Sequence, residues 1–248
     1  MDISRYFCLK FRKITKSNFH CMPNQEIIKT EDGSDTIYNQ DIGESYHSRF
    51  GALQESMHVF ITAGLRQIKY SSVNILEIGF GTGLNALLSL AESMRSGQTM
   101  QYITIEKFPL PRKIWNQLNY THILPDIEPH LFNSLHDAEW NMQTQITDNF
   151  SILKLSCDLL EIDYSTFAPV DLVYFDAFSP EKQPELWETS VIKKITSCCA
   201  QGSKFVTYCA KGAVRRSLIE AGYTTERIAG PPGKREMLRG TKNSRKEV

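Results

Sequence analysis

The sequence has no long apolar run. Nothing in its 248 residues approaches the roughly 18 consecutive apolar residues that a membrane helix needs, so no membrane partner is expected. Basic residues occur near the N-terminus, but the apolar core of a signal peptide does not follow them, and a cytoplasmic location is expected. Cysteine is sparse: Cys8, Cys21, Cys157, Cys198, Cys199 and Cys209 form neither C-x-x-C pairs nor a disulfide-like framework, so neither a disulfide scaffold nor a metal site is expected. Net charge is lacking too, with 28 Lys and Arg against 28 Asp and Glu. The balance hides an uneven distribution. Lys204 to Val248 carry eleven Lys and Arg against four Glu, and Met1 to Thr30 carry six against two acids. Basic ends suit a polyanionic partner, because phosphate contacts supply most non-specific nucleic-acid affinity, although a solvated basic tail has the same composition.

The length allows one sizeable α/β domain with a small appendage and excludes two full catalytic domains. Residues 1–26 show no periodicity and are expected to be an extension open to disorder, with Met22 an alternative start to Met1. Residues 27–70 are expected to form a β-hairpin and helix appendage: Asp32-Gly33 is a hairpin turn signal inside IIKTEDGSDTIY, and apolar residues at helical spacing run from Tyr46 to Lys69. Residues 71–240 alternate strand and helix, with strands over 73–78, 101–106, 150–156, 171–176, 204–209, 223–228 and 235–239. That pattern predicts a Rossmann-like three-layer α/β sandwich, a mostly parallel seven-stranded sheet whose last strand runs antiparallel. Residues 241–248 are a basic tail. The stretch Thr121 to Asn149 is less regular and longer than an ordinary connection.

The centre of the pattern is Leu76 to Leu88, LEIGFGTGLNALL. A buried β-branched strand turns here into a helix through Gly79, Gly81 and Gly83, the arrangement that brings backbone close to a nucleotide-like ligand at a helix N-terminus. The spacing is E-x-G-x-G-x-G, whereas dinucleotides use G-x-G-x-x-G. Glu77 on the strand sits badly beside a pyrophosphate and suits an ammonium, which points to S-adenosylmethionine. Glu106, at the tip of the next strand, is placed to grip ribose hydroxyls. Asp158, at the end of the third, is placed either to accept from an adenine amino group or to cap the following short helix. Asp176 ends the fourth strand, which chain order puts beside the first.

Six blocks in this order resemble the methyltransferase part of the bacterial tRNA 5-methylaminomethyl-2-thiouridine biosynthesis enzymes: YHSRFGALQESMHVF (46–60), EIGFGTGLN (77–85), IEKFPL (105–110), DAFSPEKQPELW (176–187), GAVRRSL (212–218) and GKREML (233–238). The likeness covers about Ile27 to Gly240. It implies the class I S-adenosylmethionine-dependent methyltransferase fold and methyl transfer to the primary amine of 5-aminomethyl-(2-thio)uridine at the wobble position of tRNA. It also implies that Glu55, Phe80, Asn85 and Lys107 lie near the cofactor, with Tyr46 beside them. Many relatives carry a flavin-dependent oxidase domain after this part. A chain ending at Val248 has no room for one, so a stand-alone form is expected, needing no FAD and linked to separate enzymes that make the aminomethyl uridine. Ala177 replaces the glycine of the family's D-G-F block, and Cys209-Ala210-Lys211 replaces a common Thr-Ser-Ala.

Methyl transfer to an amine is an in-line displacement that needs a neutral nitrogen. An alkylamine with a pKa near that of lysine, about 10.4, is roughly one part per thousand neutral at pH 7. Asp176 is the candidate base, or else the group that holds the amine while water takes its proton. Phe178, Pro180 and Lys182 are candidates for the wall and rim of the acceptor pocket, and Arg215, Arg216, Lys234 and Arg235 for RNA phosphates. Two other readings remain open: a small-amine methyl- or aminopropyl-transferase, which needs no basic C-terminal third, and a non-catalytic RNA-binding module of the same fold.

Overall fold

The computed structural model describes residues 24–243. Residues 1–23 of the expected extension, with both alternative starts, and 244–248 of the basic tail lie outside the described residues, while Gln25 and Glu26 belong to the first strand.

Strands and helices alternate because apolar spacing switches between two and about 3.6 residues along the chain. The first unit is a small antiparallel sheet of β1 (Gln25–Lys29), β2 (Asp35–Asn39) and β3 (Glu44–Ser45). Its Asp32-Gly33 turn does more than reverse the chain. Asp32 Oδ1 accepts from Ser34 N at 2.9 Å, and Oδ2 accepts from Gln54 N at 2.9 Å, capping the first helix from outside. That helix, α1 (Ala52–Ser56), continues with wider π turns over Met57–Thr62 and a 3-10 turn over Leu65–Gln67. The expected helix over Tyr46 to Lys69 is therefore shorter. Gly51, with φ 155, breaks the chain direction ahead of it, and residues 46–50 form bends and a turn.

The main sheet contains β4 (Ser72–Ile78), β5 (Thr99–Glu106), β6 (Gln143–Thr147), β7 (Phe150–Ser156), β8 (Val170–Phe175), β9 (Cys199–Thr207), β10 (Tyr223–Ala229) and β11 (Glu236–Lys242), in the order β10-β11-β9-β8-β4-β5-β7-β6. The sheet has eight strands rather than seven, because QTQIT at 143–147 pairs antiparallel with β7 at one edge. The parallel core β9-β8-β4-β5-β7 and the antiparallel β11 follow the expectation. Among the described residues no helix is long and apolar enough to cross a membrane.

Helices cover both faces. On one lie α1, α2 (Leu84–Ser96), α3 (Arg112–Trp115), α4 (Tyr120–Ile123) and α5 (Pro129–Asp137); on the other lie α6 (Thr189–Thr196) and α7 (Gly212–Glu220). The period of two in β4 sends Val73 and Ile75 into the first layer and Leu76 and Ile78 into the second. The irregular segment 121–149 thus resolves into α5 and β6. His136 of α5 stacks on Trp115 at 4.3 Å and bonds the Thr82 carbonyl at 3.1 Å, bracing the glycine loop from behind.

Candidate active site

The carboxyl ends of β4, β5, β7 and β8 open into one cavity of about 550 Å³, within the range of small-molecule sites. Its floor is the loop from Ile78 to Asn85. Gly79 has φ 92, and a Cβ there would lie 2.7 Å from the Asp176 carbonyl, so only glycine lets β4 and β8 end this close together. Gly81 and Gly83 complete the turn, and α2 begins at Leu84.

On the cofactor side, the Glu106 carboxylate ties the tip of β5 to the loop. Its Oε2 accepts from Gly81 N at 3.1 Å and its Oε1 from Phe108 N at 2.7 Å. Burial pushes its pKa up, with those N–H groups acting against the rise. Asp158 Oδ1 accepts from Leu160 N at 2.9 Å, capping the short helix Leu159–Glu161, while Oδ2 pairs with Lys107 Nζ at 2.7 Å. Burial favours the neutral acid, but the bonds from Lys107 and Leu160 hold the pKa below its usual value. Asp158 is therefore a cap that also lines the cavity, and Lys107 is engaged by it. Phe108 and Leu160, each 39% exposed, add apolar surface at this end.

Glu77 departs from its expected role. Strand parity places it on the same face as Val73 and Ile75, away from the cavity lining, fully buried. Among the described residues neither carboxyl oxygen has a partner at hydrogen-bonding geometry, although Thr104, Tyr102 and Asn85 are polar neighbours. Burial first, and Asp176 in part, push its pKa up to about 8 against the pull of Thr104, Tyr102 and Asn85. It sits under the loop as a neutral acid near pH 7 and does not meet a ligand ammonium directly.

Asp176 stands across the loop from Glu106. Its N–H donates to the Ile78 carbonyl at 3.0 Å, and Asn85 Nδ2 donates to its Oδ2 at 2.8 Å. Burial and then the Glu55 charge push its pKa up to about 7, with Asn85 and Lys234 acting the other way. A carboxyl group with that pKa changes protonation state near neutral pH. The following residues are pinned from three sides. Tyr208 Oη donates to the Ala177 carbonyl at 2.9 Å, Trp187 Nε1 to the Phe178 carbonyl at 2.8 Å, and Ser179 Oγ to Glu44 Oε2 at 2.8 Å. Phe178 meets Tyr46 edge to face, 5.1 Å between centroids.

Lys234 was expected at an RNA phosphate, but it points into the cavity. Its Nζ lies 2.6 Å from Glu55 Oε1 and 3.8 Å from the Tyr208 ring centroid, and Glu55 Oε2 accepts from Ser48 N at 2.7 Å. The reason is Glu55, a buried carboxylate that needs a cation. Of the other expected residues, Pro180, Lys182, Arg215, Arg216 and Arg235 lie off the cavity lining. Lys182, Arg215, Arg216 and Arg235 are exposed, Arg215 Nε donating to Thr225 Oγ1 at 3.2 Å. Lys211 is paired with Glu181. The sequence reading missed Tyr208, Glu44, Ser48, Phe108 and Leu160, all on the cavity wall. Tyr208, Phe108 and Leu160 follow strand ends and Ser48 lies inside the 46–60 block, whereas Glu44, in the two-residue β3, carried no signal. Among the described residues no group of three or more His, Cys, Asp or Glu is arranged to hold a metal ion.

S-adenosylmethionine fits this donor set: a loop of three positive-φ glycines under the cavity, a carboxylate for vicinal hydroxyls, and apolar surface at the far end. The comparisons agree. Residues 130–243 match a family model described as S-adenosyl-L-methionine-dependent methyltransferase. In fold the chain is similar to the crystal structure of MNMC2 from Aquifex aeolicus, with a TM-score of 0.69 and 24% identity, covering 90% of this chain and 73% of that one. Fold, cavity and family model together identify the chain as an S-adenosyl-L-methionine-dependent methyltransferase. More particularly, it is related to the methyltransferase region of the tRNA 5-methylaminomethyl-2-thiouridine biosynthesis bifunctional proteins MnmC. It is 30% identical to that of Marinomonas sp. (strain MWYL1) over 232 residues, 86% of this chain, and 32% identical to that of Leptospira borgpetersenii serovar Hardjo-bovis (strain JB197) over 210 residues, 79% of this chain. The chain spans about a third of the length of these curated relatives, 33% and 32% respectively.

Proposed function

We propose that the chain transfers a methyl group from S-adenosylmethionine to the primary amine of 5-aminomethyl-(2-thio)uridine at the wobble position of tRNA, giving the 5-methylaminomethyl form. The observation that carries the proposal is Asp176, a carboxylate oriented by Asn85, with a pKa of about 7, on the wall of the cavity that the glycine loop floors. The names of the relatives point to the same acceptor.

When bound, S-adenosylmethionine supplies an electrophilic methyl on a sulfonium. The remaining work belongs to the chain. Glu106 and the glycine loop hold the adenosyl end, and the pinned Phe178 gives the uracil ring an aromatic wall. Asp176 accepts the proton of the ammonium, leaving a neutral nitrogen lone pair directed at the donor. Lys234, paired with Glu55, disfavours a second cation nearby and so favours the neutral amine. The wobble base is splayed from its stack to reach the cavity. The aminomethyl group must already be in place on the uridine, and a tRNA substrate fits a cytoplasmic location.

The test is incubation with labelled S-adenosylmethionine, tRNA from cells lacking this enzyme that bears 5-aminomethyl-(2-thio)uridine at the wobble position, and polyamines in the same mixture. Label entering a wobble nucleoside supports the proposal; label in polyamines alone, or nowhere, overturns it.

A further inference from the structure

An aromatic ring stands at the cavity mouth with no role in the site described above. Phe50 is 46% exposed, yet it is held firmly in place. A Cβ on Gly233 would lie 2.0 Å from Phe50 Cδ2 and 2.4 Å from Cε2, so the ring rests against Gly233 backbone that no other residue could present; Gly233 has φ 82. The Phe50 N–H donates to Ser48 Oγ at 3.2 Å. Both supports lead straight to the site: Ser48 lines the cavity, and so does Lys234, the residue after Gly233.

The surroundings of the ring are basic. Arg49 and Arg235 adjoin it in the chain and across the contact, and both are exposed. Neither forms an ion pair among the described residues. Arg49 instead lies over the Tyr38 ring, 5.5 Å from its centroid. An aromatic ring fixed on one side and open on the other, with exposed arginines next to it in the chain and two residues beyond its Gly233 seat, matches the chemistry of single-stranded nucleic acid. A base stacks on the ring without regard to its identity, and phosphates take the arginines.

We propose that Phe50 is the stacking platform for the nucleotide adjacent to the methylated one, with Arg49 and Arg235 on its flanking phosphates. The inference rests on the RNA reading of the acceptor. It adds that a base flipped into the cavity leaves a neighbour whose own stacking partner has been removed, and that Phe50 replaces that partner. Gly233 is then required because it seats the platform.

The test compares kcat/KM for an anticodon stem-loop carrying 5-aminomethyluridine with kcat/KM for the free nucleoside, in the wild type and in Phe50→Ala, Phe50→Leu and Phe50→Trp. Removing one base-aromatic stack should reduce the preference for the stem-loop about 5- to 100-fold in the Ala and Leu variants. Leu keeps the apolar contact with Gly233 and loses only the ring face, so its loss separates stacking from folding; Trp should restore the preference. In parallel, 2-aminopurine beside the target position should be quenched on binding to the wild type and Phe50→Trp but not to Phe50→Leu. An unchanged preference in Phe50→Leu, or quenching that persists without the ring, overturns the platform. A wild type that methylates the nucleoside but not the stem-loop removes the RNA reading itself, and the platform with it.

Discussion

Lys234→Met and Glu55→Gln should move the pH dependence of methyl transfer in opposite directions. Asp176 titrates at about 7 against an ordinary 3.8, after burial, with Glu55 raising it and Lys234 lowering it. At an effective dielectric of about 20, a unit charge roughly 7 Å away is worth about 2 kcal/mol, and water in the cavity reduces this to about one pKa unit. Asp176 accepts a proton only as the carboxylate, so kcat/KM rises with pH through its pKa. Removing the Lys234 charge leaves Asp176 harder to ionise and shifts that rise upward. Removing the Glu55 charge shifts it downward, and by more, because Lys234 is then left unpaired beside Asp176. The double variant should return close to the wild-type profile. The assay is kcat/KM against pH, read for the position of the acid limb and not for its height, which separates tuning from any loss of binding. Shifts of both single variants in the same direction, or none, would refute the electrostatic role of the pair.

Asp176→Asn should lower methyl transfer by about 10²- to 10⁴-fold while leaving cofactor affinity in place. The same variant should stabilise the fold at alkaline pH. A carboxyl raised from 3.8 to about 7 destabilises the native state increasingly as pH rises between those values, and fully above them. About three units at 1.36 kcal/mol each sets an upper limit of about 4 kcal/mol, reduced by the side chain's opening to the cavity. Melting temperatures at pH about 4 and about 8 check this, and a gain confined to the acid side would contradict the assigned pKa. Gly79→Ala should cost roughly 1–3 kcal/mol of stability and weaken cofactor binding, read by thermal melting and calorimetry, because its Cβ would enter the Asp176 backbone. Changing Arg215 and Arg216 to Ala should reduce the salt slope of tRNA binding by up to about 2; an unchanged slope marks them as plain surface charge.

Much of this was legible in the sequence, for reasons that vary by residue. The glycine turn, Glu106 and Asp176 could be placed because buried parallel strands are continuous apolar runs, and their carboxyl ends mark the crevice. β6 was not legible: QTQIT is short and polar, held at an edge by one neighbour, and resembles a loop. Glu77 was assigned to the correct strand and matched to a ligand ammonium because a carboxyl at a motif position invites a ligand, whereas strand parity sends it into the core. Lys234 illustrates a limit of charge counting. In the chain it belongs to a basic segment; in the fold a buried carboxylate 179 residues earlier turns it inward. Composition carries no information about such a partner.

The most direct test of the acceptor is mass spectrometry of nucleosides digested from tRNA bearing 5-aminomethyl-2-thiouridine, after incubation with S-adenosylmethionine and either the wild type or Asp176→Asn. The account predicts conversion to 5-methylaminomethyl-2-thiouridine by the wild type and almost none by the variant. An untouched wobble nucleoside, or a methyl group gained at any other position, would contradict it.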